Sequence, residues 1–392
     1  MSSACYLFIF TLETIQGAFR NIASALHWLS FCSTIRLLMR ILHILNHVKA
    51  SGNGIVNVAM DLACLQAKAG HDVSVASAAG DYEELLTRHG VKHFPLNQTR
   101  KPGNLVKAAL RYRAITQAWR PDIVHAHMMT GVILARILRA RCGYALVSTV
   151  HNEFQRSSTL MGWADRVIAV SYAVAQSMAR RGIPQQKLRV VANGPLGSPR
   201  TQPLKNYSPM SLHHPAIVTV AGMNRRKGIA ELIDAFSQIA VDFPQAHLYL
   251  VGDGPERALF EAQARRTAVA ERIHFEGFQP QPQRYLLTTD IFVLASHSEP
   301  FGLVIPEARE AGCAIVATDV DGIPEALDGG KAGLLVPPLD RAALAAAIGQ
   351  LLRTPQDLHR WREQAQHNLE WLTAARVHKE TLAVYRDLIT TD

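Results

Sequence analysis

The sequence predicts an α/β protein with two doubly wound domains, each built on a parallel sheet, that face one another across a cleft. Short apolar strands alternate with helix-length segments along most of the 392 residues. The alternation breaks once, where five prolines fall within residues 195–215 among Ser, Gln, Asn and His. A chain of this length can form two or three domains.

The first domain is predicted over residues 39–200. A strand at 40–46 leads through a tight glycine loop at 51–55 into a helix at 56–68 and a strand at 72–76, which is the order of a right-handed βαβ unit. Four more strands are predicted, mostly with helices between them, at 122–126, 145–150, 166–170 and 188–192. Parallel strands in this arrangement are covered by helices on both faces.

The second domain is predicted over residues 216–370, after a linker at 201–215. A new alternating series begins at Ala216, and it includes a buried strand at 290–295 that runs into a helix near Pro306. Residues 371–392 have the apolar spacing of a further helix.

The first 38 residues differ from the rest of the chain. Their apolar run at 7–10 is interrupted by Glu13 and Arg20, and no basic segment precedes it. This pattern is a poor match to a signal peptide, and no stretch reaches the roughly 18 apolar residues of a membrane span. We expect an extension that contributes nothing to the fold, as an over-called start codon would give. The alternative is a membrane-associating helix.

Charge and cysteines limit the partners and the compartment. The net charge of +9 favours anionic partners, among which we expect nucleotide sugars or glycolipids and no nucleic acid. The five cysteines are scattered without zinc-ligand spacing. We therefore expect reduced thiols in the cytoplasm.

Glu299 and Glu307 stand at a predicted strand-to-helix turn, which is where open α/β sheets bind ligands. An ionised carboxylate accepts short, directional hydrogen bonds and suits sugar and ribose hydroxyls. The alternative interpretation is a helix N-terminus decorated with acids, which the helix dipole favours in any case.

Several motifs follow one another in a fixed order through the second domain, at 220–228, 248–256, 276–278, 299–307 and 318–325. This series resembles the nucleotide-binding half of the retaining GT-B glycosyltransferases of family 4, and the resemblance spans residues 39–390. It implies a GT-B fold and transfer of a sugar from a nucleoside-diphosphate sugar to a glycan or glycolipid, as in lipopolysaccharide or polysaccharide synthesis. It also implies a tail that crosses back onto the first domain, and no metal or other cofactor.

The resemblance assigns roles to residues of the second domain. Arg225 and Lys227 would stabilise charge on the leaving diphosphate, and Arg226 could exchange roles with Arg225. Glu299 would touch the donor sugar, and Glu307 would bind the ribose hydroxyls. The backbone near the sugar or phosphate would come from Gly222, Phe301, Gly302 and Leu303.

The first domain would complete the site from its own strand ends. Asn53 and Gly54 stand where the family usually has two glycines, and Asn tolerates a left-handed backbone. His127 matches a family histidine near the donor sugar and acceptor, although a satisfied core histidine is the alternative. His125, His151 and Asn152 are predicted to line the acceptor side. A paired-histidine metal site is a further alternative.

A basic stretch from Arg88 to Arg120 contains eight Lys or Arg residues and no acid. Lys107 and Arg111 are four residues apart and share an outward helix face. The hypothesis is a patch that holds the protein on the inner face of an anionic membrane or on a phosphorylated glycolipid. The alternative is an ordinary solvated face.

Two other functions remain open at this point. A sugar-nucleotide 2-epimerase shares the two-domain plan, and a non-catalytic protein could bind nucleotide sugars without transferring them. A nicotinamide dehydrogenase is disfavoured because the first strand-to-helix turn lacks G-x-G-x-x-G, with Asn57 three residues after Gly54.

Overall fold

The computed structural model describes residues 38–99, 101–139 and 142–389. The predicted extension therefore lies, except for Leu38, outside the described residues, as do Arg100 and Arg141. No described helix has the length and apolar character needed to cross a membrane.

The first lobe is built on seven parallel strands in the order β3-β2-β1-β4-β5-β6-β7. Chain order reverses between β1 and β4, which makes their carboxyl ends a natural ligand edge. The short strand β3 was not predicted, since its four residues include a terminal proline. The strands are β1 (Arg40–His47), β2 (Asp72–Ala78), β3 (Lys92–Pro95), β4 (Ile123–Ala126), β5 (Ala145–Val150), β6 (Arg166–Ala169) and β7 (Leu188–Val190).

Helices cover both faces of this sheet and enclose two separate apolar cores. Strands buried on both sides explain why the sequence shows nearly continuous apolar runs. A 3₁₀ segment at Arg156–Trp163 follows β5. The helices are α1 (Gly54–Lys68), α2 (Glu83–Arg88), α3 (Pro102–Trp119), α4 (Met129–Leu138) and α5 (Tyr172–Arg180).

The second lobe has six parallel strands in the order β10-β9-β8-β11-β12-β13, with its reversal between β8 and β11. Two apolar cores again lie on opposite faces of the sheet. The predicted architecture of two parallel-sheet α/β lobes is thus confirmed. The strands are β8 (Ala216–Val220), β9 (His247–Val251), β10 (Ile273–Gly277), β11 (Ile291–Leu294), β12 (Ala314–Thr318) and β13 (Leu334–Val336).

The second lobe's helices surround that sheet. They are α6 (Ile229–Ile239), α7 (Arg257–Ala264), α8 (Gln283–Leu286), α9 (Val304–Glu310), α10 (Ile323–Ala326), α11 (Arg341–Arg353) and α12 (Pro355–Ala365). Helix α9 begins at Val304, two residues before Pro306. The prediction placed its start near the proline, but the first turn tolerates proline because backbone N–H groups there need no partner within the helix.

The last described helix lies on the first lobe. Helix α13 (Ala374–Ile389) packs against α1 and β5. Just before it, the amide of Leu196 donates to Leu372 (3.0 Å) and the amide of Ala374 donates back to Leu196 (2.8 Å). The final segment therefore joins the end of the first lobe by backbone hydrogen bonds. The exact domain limits stay predictions.

Candidate functional site

A cation and an acid meet where strands β8 and β11 end. Lys227 lies in a 3₁₀ turn after β8, and its Nζ contacts the carboxylate of Glu299, which follows β11. Arg226 Nη1 lies 3.8 Å from the same carboxylate and donates to the carbonyl of Ser298 at 2.8 Å. The two strands are neighbours at the reversal of chain order, so the topology brings these distant residues together.

Arg225 does not join this group. Its guanidinium pairs with Glu256 at 3.0 Å, and its side chain is 80% exposed. Arg225 lies two residues before Lys227 in the 3₁₀ turn, so the side chains of these two residues point about 120° apart. Arg226, rather than Arg225, is therefore the arginine beside Glu299, and a role of Arg225 at the diphosphate stays a prediction.

The loop that carries Glu299 is held by its neighbours. The Asp321 carboxylate accepts hydrogen bonds from the Glu299 amide (2.8 Å) and the Ser298 hydroxyl (2.5 Å). Gly302 has φ +80°, a conformation that other residues rarely adopt. Phe301 is buried in the core, which anchors the loop from below. The backbone of this predicted sugar-binding segment is therefore rigidly placed.

Glu307 lies on α9. Burial raises the pKa of its carboxyl to about 7, although the positive charge of Arg200 acts to lower it. Helix α9 is fixed by the fully buried Arg309, which donates to the carbonyls of Ala326 (2.6 Å) and Ala365 (2.8 Å). A carboxyl with this pKa changes charge near neutral pH, so its ability to accept hydrogen bonds depends on pH.

The glycine loop of the first lobe approaches the second lobe closely. A side chain at Gly54 would come within 2.7 Å of Leu303 Cδ1. Asn53 has φ −76° and caps α1 by accepting from the Ile55 amide at 3.0 Å. The left-handed residue of the loop is Gly52, with φ +69°. Asn53 therefore has the extended backbone typical of a helix N-cap, and its tolerance of a left-handed conformation is not used here.

Two further contacts join the lobes beside the cleft. The guanidinium of Arg226 lies 4.3 Å from the ring centroid of Phe154, a cation–π distance. The Glu325 carboxylate accepts from the amides of Tyr172 (2.9 Å) and Ala173 (3.0 Å) at the start of α5. A carboxylate at a helix N-terminus is favoured by the helix dipole. Gly222, two residues after the end of β8, is exposed at the same edge of the sheet.

On the first lobe, four histidines form a cluster that we call the histidine cluster: His43, His125, His127 and His151. The rings of His125 and His127 stack with centroids 4.2 Å apart, as their alternation along one strand predicts. His127 bonds His43 (2.9 Å) on one side and His151 (3.0 Å) on the other. Burial lowers the pKa of His43 to about 4 and of His151 to about 3, and it lowers the pKa of His125 and His127 well below the usual value.

A pocket of about 200 Å³ lies over this cluster. His127, His151 and Asn152 line it, together with Asn46 and Thr149. His125, predicted on the acceptor side, is instead fully buried and bonds Tyr385 and Thr149. Because the histidines are neutral near pH 7, they offer hydrogen bonds to a ligand and no positive charge.

One group among the described residues has the spacing of a metal site: nitrogens of His43, His125 and His127 lie within 4.8 Å of one another. All six ring nitrogens of these residues already have hydrogen-bond partners. A metal ion would have to displace those bonds.

Several residues of the site were missed by sequence reasoning. His43 and Gln66 are buried polar residues within apolar elements, a signal that periodicity alone could have revealed. Tyr385 and Phe154 offered no such signal, because each acts through a partner in a distant part of the chain.

Two protein-family models match this chain. The model of Glycosyltransferase Family 4 matches residues 52–194, and that of Glycosyl transferases group 1 matches residues 208–368. The chain belongs to the family 4, group 1 glycosyltransferases. The predicted family is confirmed, and this family 4 glycosyltransferase has curated relatives. It is 28% identical over 308 residues to a glycogen synthase of Mycobacterium tuberculosis, covering 69% of this chain and 71% of the relative.

A second relative is the lipopolysaccharide core biosynthesis glycosyltransferase LpsE of Rhizobium meliloti, 33% identical over 138 residues, or 35% of this glycosyltransferase and 39% of the relative. Among solved structures, Anabaena Alr3699/HepE in complex with UDP and glucose superposes with a TM-score of 0.75 at 21% identity. That likeness covers 88% of this chain and 99% of the other. The predicted GT-B fold is confirmed.

Proposed function

We propose that the chain is a retaining glycosyltransferase that moves a sugar from a nucleoside-diphosphate sugar to a glycan or glycolipid acceptor. The observation that carries the proposal is the meeting of Lys227, Arg226 and Glu299 at the strand ends of the second lobe, in contact with Phe154 of the first. Fixed cations beside an acid suit a ligand that combines a diphosphate with sugar hydroxyls.

In the donor half, Lys227 and Arg226 stabilise the negative charge that builds on the departing diphosphate. A guanidinium grips phosphate oxygens as a fork, whereas an ammonium acts as a point charge. Glu299 orients Lys227 and accepts hydrogen bonds from the donor sugar. Glu307 accepts hydrogen bonds from the ribose, and Gly302 allows the backbone to lie close to the sugar.

In the acceptor half, the pocket over the histidine cluster receives the acceptor hydroxyl. His127, His151 and Asn152 supply hydrogen bonds there. In the reaction, the bond from the anomeric carbon to the diphosphate breaks and a bond to the acceptor oxygen forms on the same face. The acceptor proton passes to the leaving phosphate, so the step needs no metal and no protein nucleophile.

The acceptor we propose is a growing surface glycan, such as lipopolysaccharide core or a lipid-linked saccharide, at the cytoplasmic face of the membrane. The similarity to LpsE supports this class of acceptor. The complex of Alr3699/HepE with UDP and glucose makes a UDP-sugar the first donor to test.

A thermal-shift screen of UDP-, GDP- and ADP-sugars is the first experiment. A donor at a hundred times its Kd stabilises the fold by about 2.7 kcal/mol, so the true donor should be distinct. Incubating it with lipopolysaccharide core fragments in excess chelator should then give a product whose anomeric configuration, read by NMR, matches the donor. Transfer that stops in chelator would contradict metal independence.

Other outcomes identify the alternatives. Nucleotide release without an acceptor, together with an epimerised sugar, would indicate a 2-epimerase. Donor stabilisation without transfer to any core fragment would indicate a non-catalytic binding protein. Inversion of the anomeric configuration would contradict the retaining mechanism.

Donor affinity is expected to depend on pH through Glu307. Its carboxyl has a pKa of about 7, so roughly one molecule in ten is ionised at pH 6 and most are ionised at pH 8. If the carboxylate accepts the ribose hydroxyls, calorimetry should show about tenfold weaker binding of the donor at pH 6 than at pH 8. Glu307→Gln should bind weakly at both values. Equal wild-type affinities would contradict this role.

The basic stretch supports a membrane partner. Lys107 and Arg111 on α3 are exposed, while Ala108, Tyr112 and Ile115 are buried beneath them. The same helix also exposes two apolar side chains, Val106 (62%) and Leu110 (66%). Exposed apolar groups next to cations are typical of helices that lie on anionic bilayers. We therefore propose α3 as the membrane-facing helix.

Charge reversal on α3 tests this surface. Lys107→Glu with Arg111→Glu should weaken binding to phosphatidylglycerol vesicles at least about tenfold in a sedimentation assay, since each basic residue contributes about 1 kcal/mol. Reversing two exposed lysines elsewhere, Lys205→Glu with Lys331→Glu, is the matched control and should weaken binding less. Equal losses in both variants would leave only a general charge effect.

A further inference from the structure

A continuous chain of buried hydrogen bonds runs beneath the pocket. Gln66 on α1 is fully buried, and its Oε1 lies 2.7 Å from His43 Nε2. The chain continues from His43 Nδ1 to His127 Nε2 (2.9 Å) and from His127 Nδ1 to His151 Nε2 (3.0 Å). It therefore ends on a residue that lines the pocket.

The amide of Gln66 determines the direction of every bond in this chain. A carbonyl oxygen only accepts, so His43 must carry its proton on Nε2 and leave Nδ1 as an acceptor. His127 must then donate from Nε2, and His151 must do the same. The last acceptor in the chain is His151 Nδ1, which has no hydrogen-bond partner among the described residues.

A second branch starts from the other end of the same amide. Gln66 Nε2 lies 3.3 Å from the Tyr385 hydroxyl, which lies 2.5 Å from His125 Nδ1. The tyrosine oxygen accepts from the amide nitrogen, and the tyrosine's own hydrogen is satisfied when it donates to His125 Nδ1. His125 then donates from Nε2 to the Thr149 hydroxyl at 2.7 Å. Thr149 lines the pocket, and its own hydrogen is left to donate.

We propose that Gln66 is a positioning residue that holds all four members of the histidine cluster in the Nε2–H tautomer, so that His151 Nδ1 accepts and Thr149 donates a hydrogen bond in the pocket. Such a pair recognises a hydroxyl group, which both donates and accepts. This inference rests on the proposed glycosyl transfer and assigns the atoms that orient the attacking hydroxyl.

Burial of the histidine cluster makes any other pattern of these hydrogen bonds energetically costly. His43 and His125 are completely buried, and His127 is only 2% exposed. Leaving any donor or acceptor of this chain unpaired would cost its full desolvation free energy. Reversing one bond would require reversing all the others in its branch, so a single amide rotamer controls the pocket.

Nitrogen-15 NMR of histidine-labelled protein tests the proposal directly, because the two tautomers give different ring-nitrogen shifts. Signals are assigned by their loss in single His→Asn variants. All four histidines should show the Nε2–H form in the wild-type protein. A proton on His151 Nδ1 in the wild-type protein would overturn the inference.

Two variants, one at Gln66 and one at Tyr385, provide the kinetic test. The activity measured is hydrolysis of the screened nucleotide sugar by water. Gln66→Leu should mix the tautomers of His43, His127 and His151 and lower kcat about tenfold, with donor Kd unchanged. Tyr385→Phe breaks only the second branch, so His151 should keep its Nε2–H form.

The outcomes separate this inference from the proposed function. An active enzyme in which Gln66→Leu leaves both kcat and the His151 tautomer unchanged would overturn the positioning role. A wild-type protein that binds the donor but neither hydrolyses nor transfers it would overturn the proposed function, and with it the role of the pocket pair.

Discussion

Replacing Lys227 by Met is expected to lower kcat by about 10²–10³-fold, the loss typical when one preorganised charge-stabilising group is removed. The side chain of Lys227 is only 17% exposed and contacts Glu299, so no solvent cation can take its place. Met keeps the length of the side chain and removes its charge. The measurement is transfer or hydrolysis of the screened nucleotide sugar under saturating donor.

The two neighbouring arginines are the controls for this prediction. Arg226→Gln should lower kcat by a smaller factor, because its guanidinium lies 3.8 Å from Glu299. Arg225→Gln should have little effect, because Arg225 is exposed and pairs with Glu256. A loss in Arg225→Gln as large as that in Lys227→Met would restore the sequence-based role of Arg225 and contradict the arrangement described above.

Replacing Asp61 by Ala is expected to lower the free energy of unfolding by about 3–5 kcal/mol, as breaking a buried ion pair does when one charge remains. Asp61 on α1 accepts two bonds from the Arg200 guanidinium, at 2.8 and 3.0 Å, and one from the Ser198 hydroxyl at 2.5 Å. Both charged side chains are below 10% exposed. Urea denaturation followed by fluorescence measures the loss.

Two comparisons isolate the cause. Removing both charges in Asp61→Leu with Arg200→Met should recover much of the stability, since a buried pair can often be replaced by apolar groups at little cost. Lys92→Ala breaks the exposed pair with Asp72 and should cost about 0–1 kcal/mol. A double variant as unstable as Asp61→Ala would mean that the unpaired charge is not the cause.

The meeting of Lys227 and Glu299 could be predicted from the sequence because the sheet topology brings the two residues together. Lys227 and Glu299 each follow a strand, and strands β8 and β11 are neighbours where the order of the sheet reverses. Strand assignment alone therefore placed them close in space. The choice between Arg225 and Arg226 was beyond that reasoning, because a shift of one residue in a 3₁₀ turn changes the direction of the side chain.

The histidine cluster was predicted only in part, for a related reason. Alternation correctly put His125 and His127 on one face of a strand, and strand pairing puts His43 opposite His125. Gln66 and Tyr385, however, are 319 residues apart along the chain. No local pattern encodes a hydrogen bond between such distant side chains, and only the packing of α13 on α1 creates it.

The separation of Gln66 and Tyr385 along the chain also affects when the first lobe can finish folding during synthesis. Helix α1 is synthesised before the second lobe and α13 after it, so the first lobe leaves the ribosome without one of the helices that pack on it. While the second lobe is being translated, the nascent chain lacks Tyr385, whose hydroxyl connects Gln66 and His125 by hydrogen bonds. Domains commonly mature in order from the N-terminus during synthesis. Here the buried hydrogen bonds of the first lobe can be completed only after α13 has been synthesised.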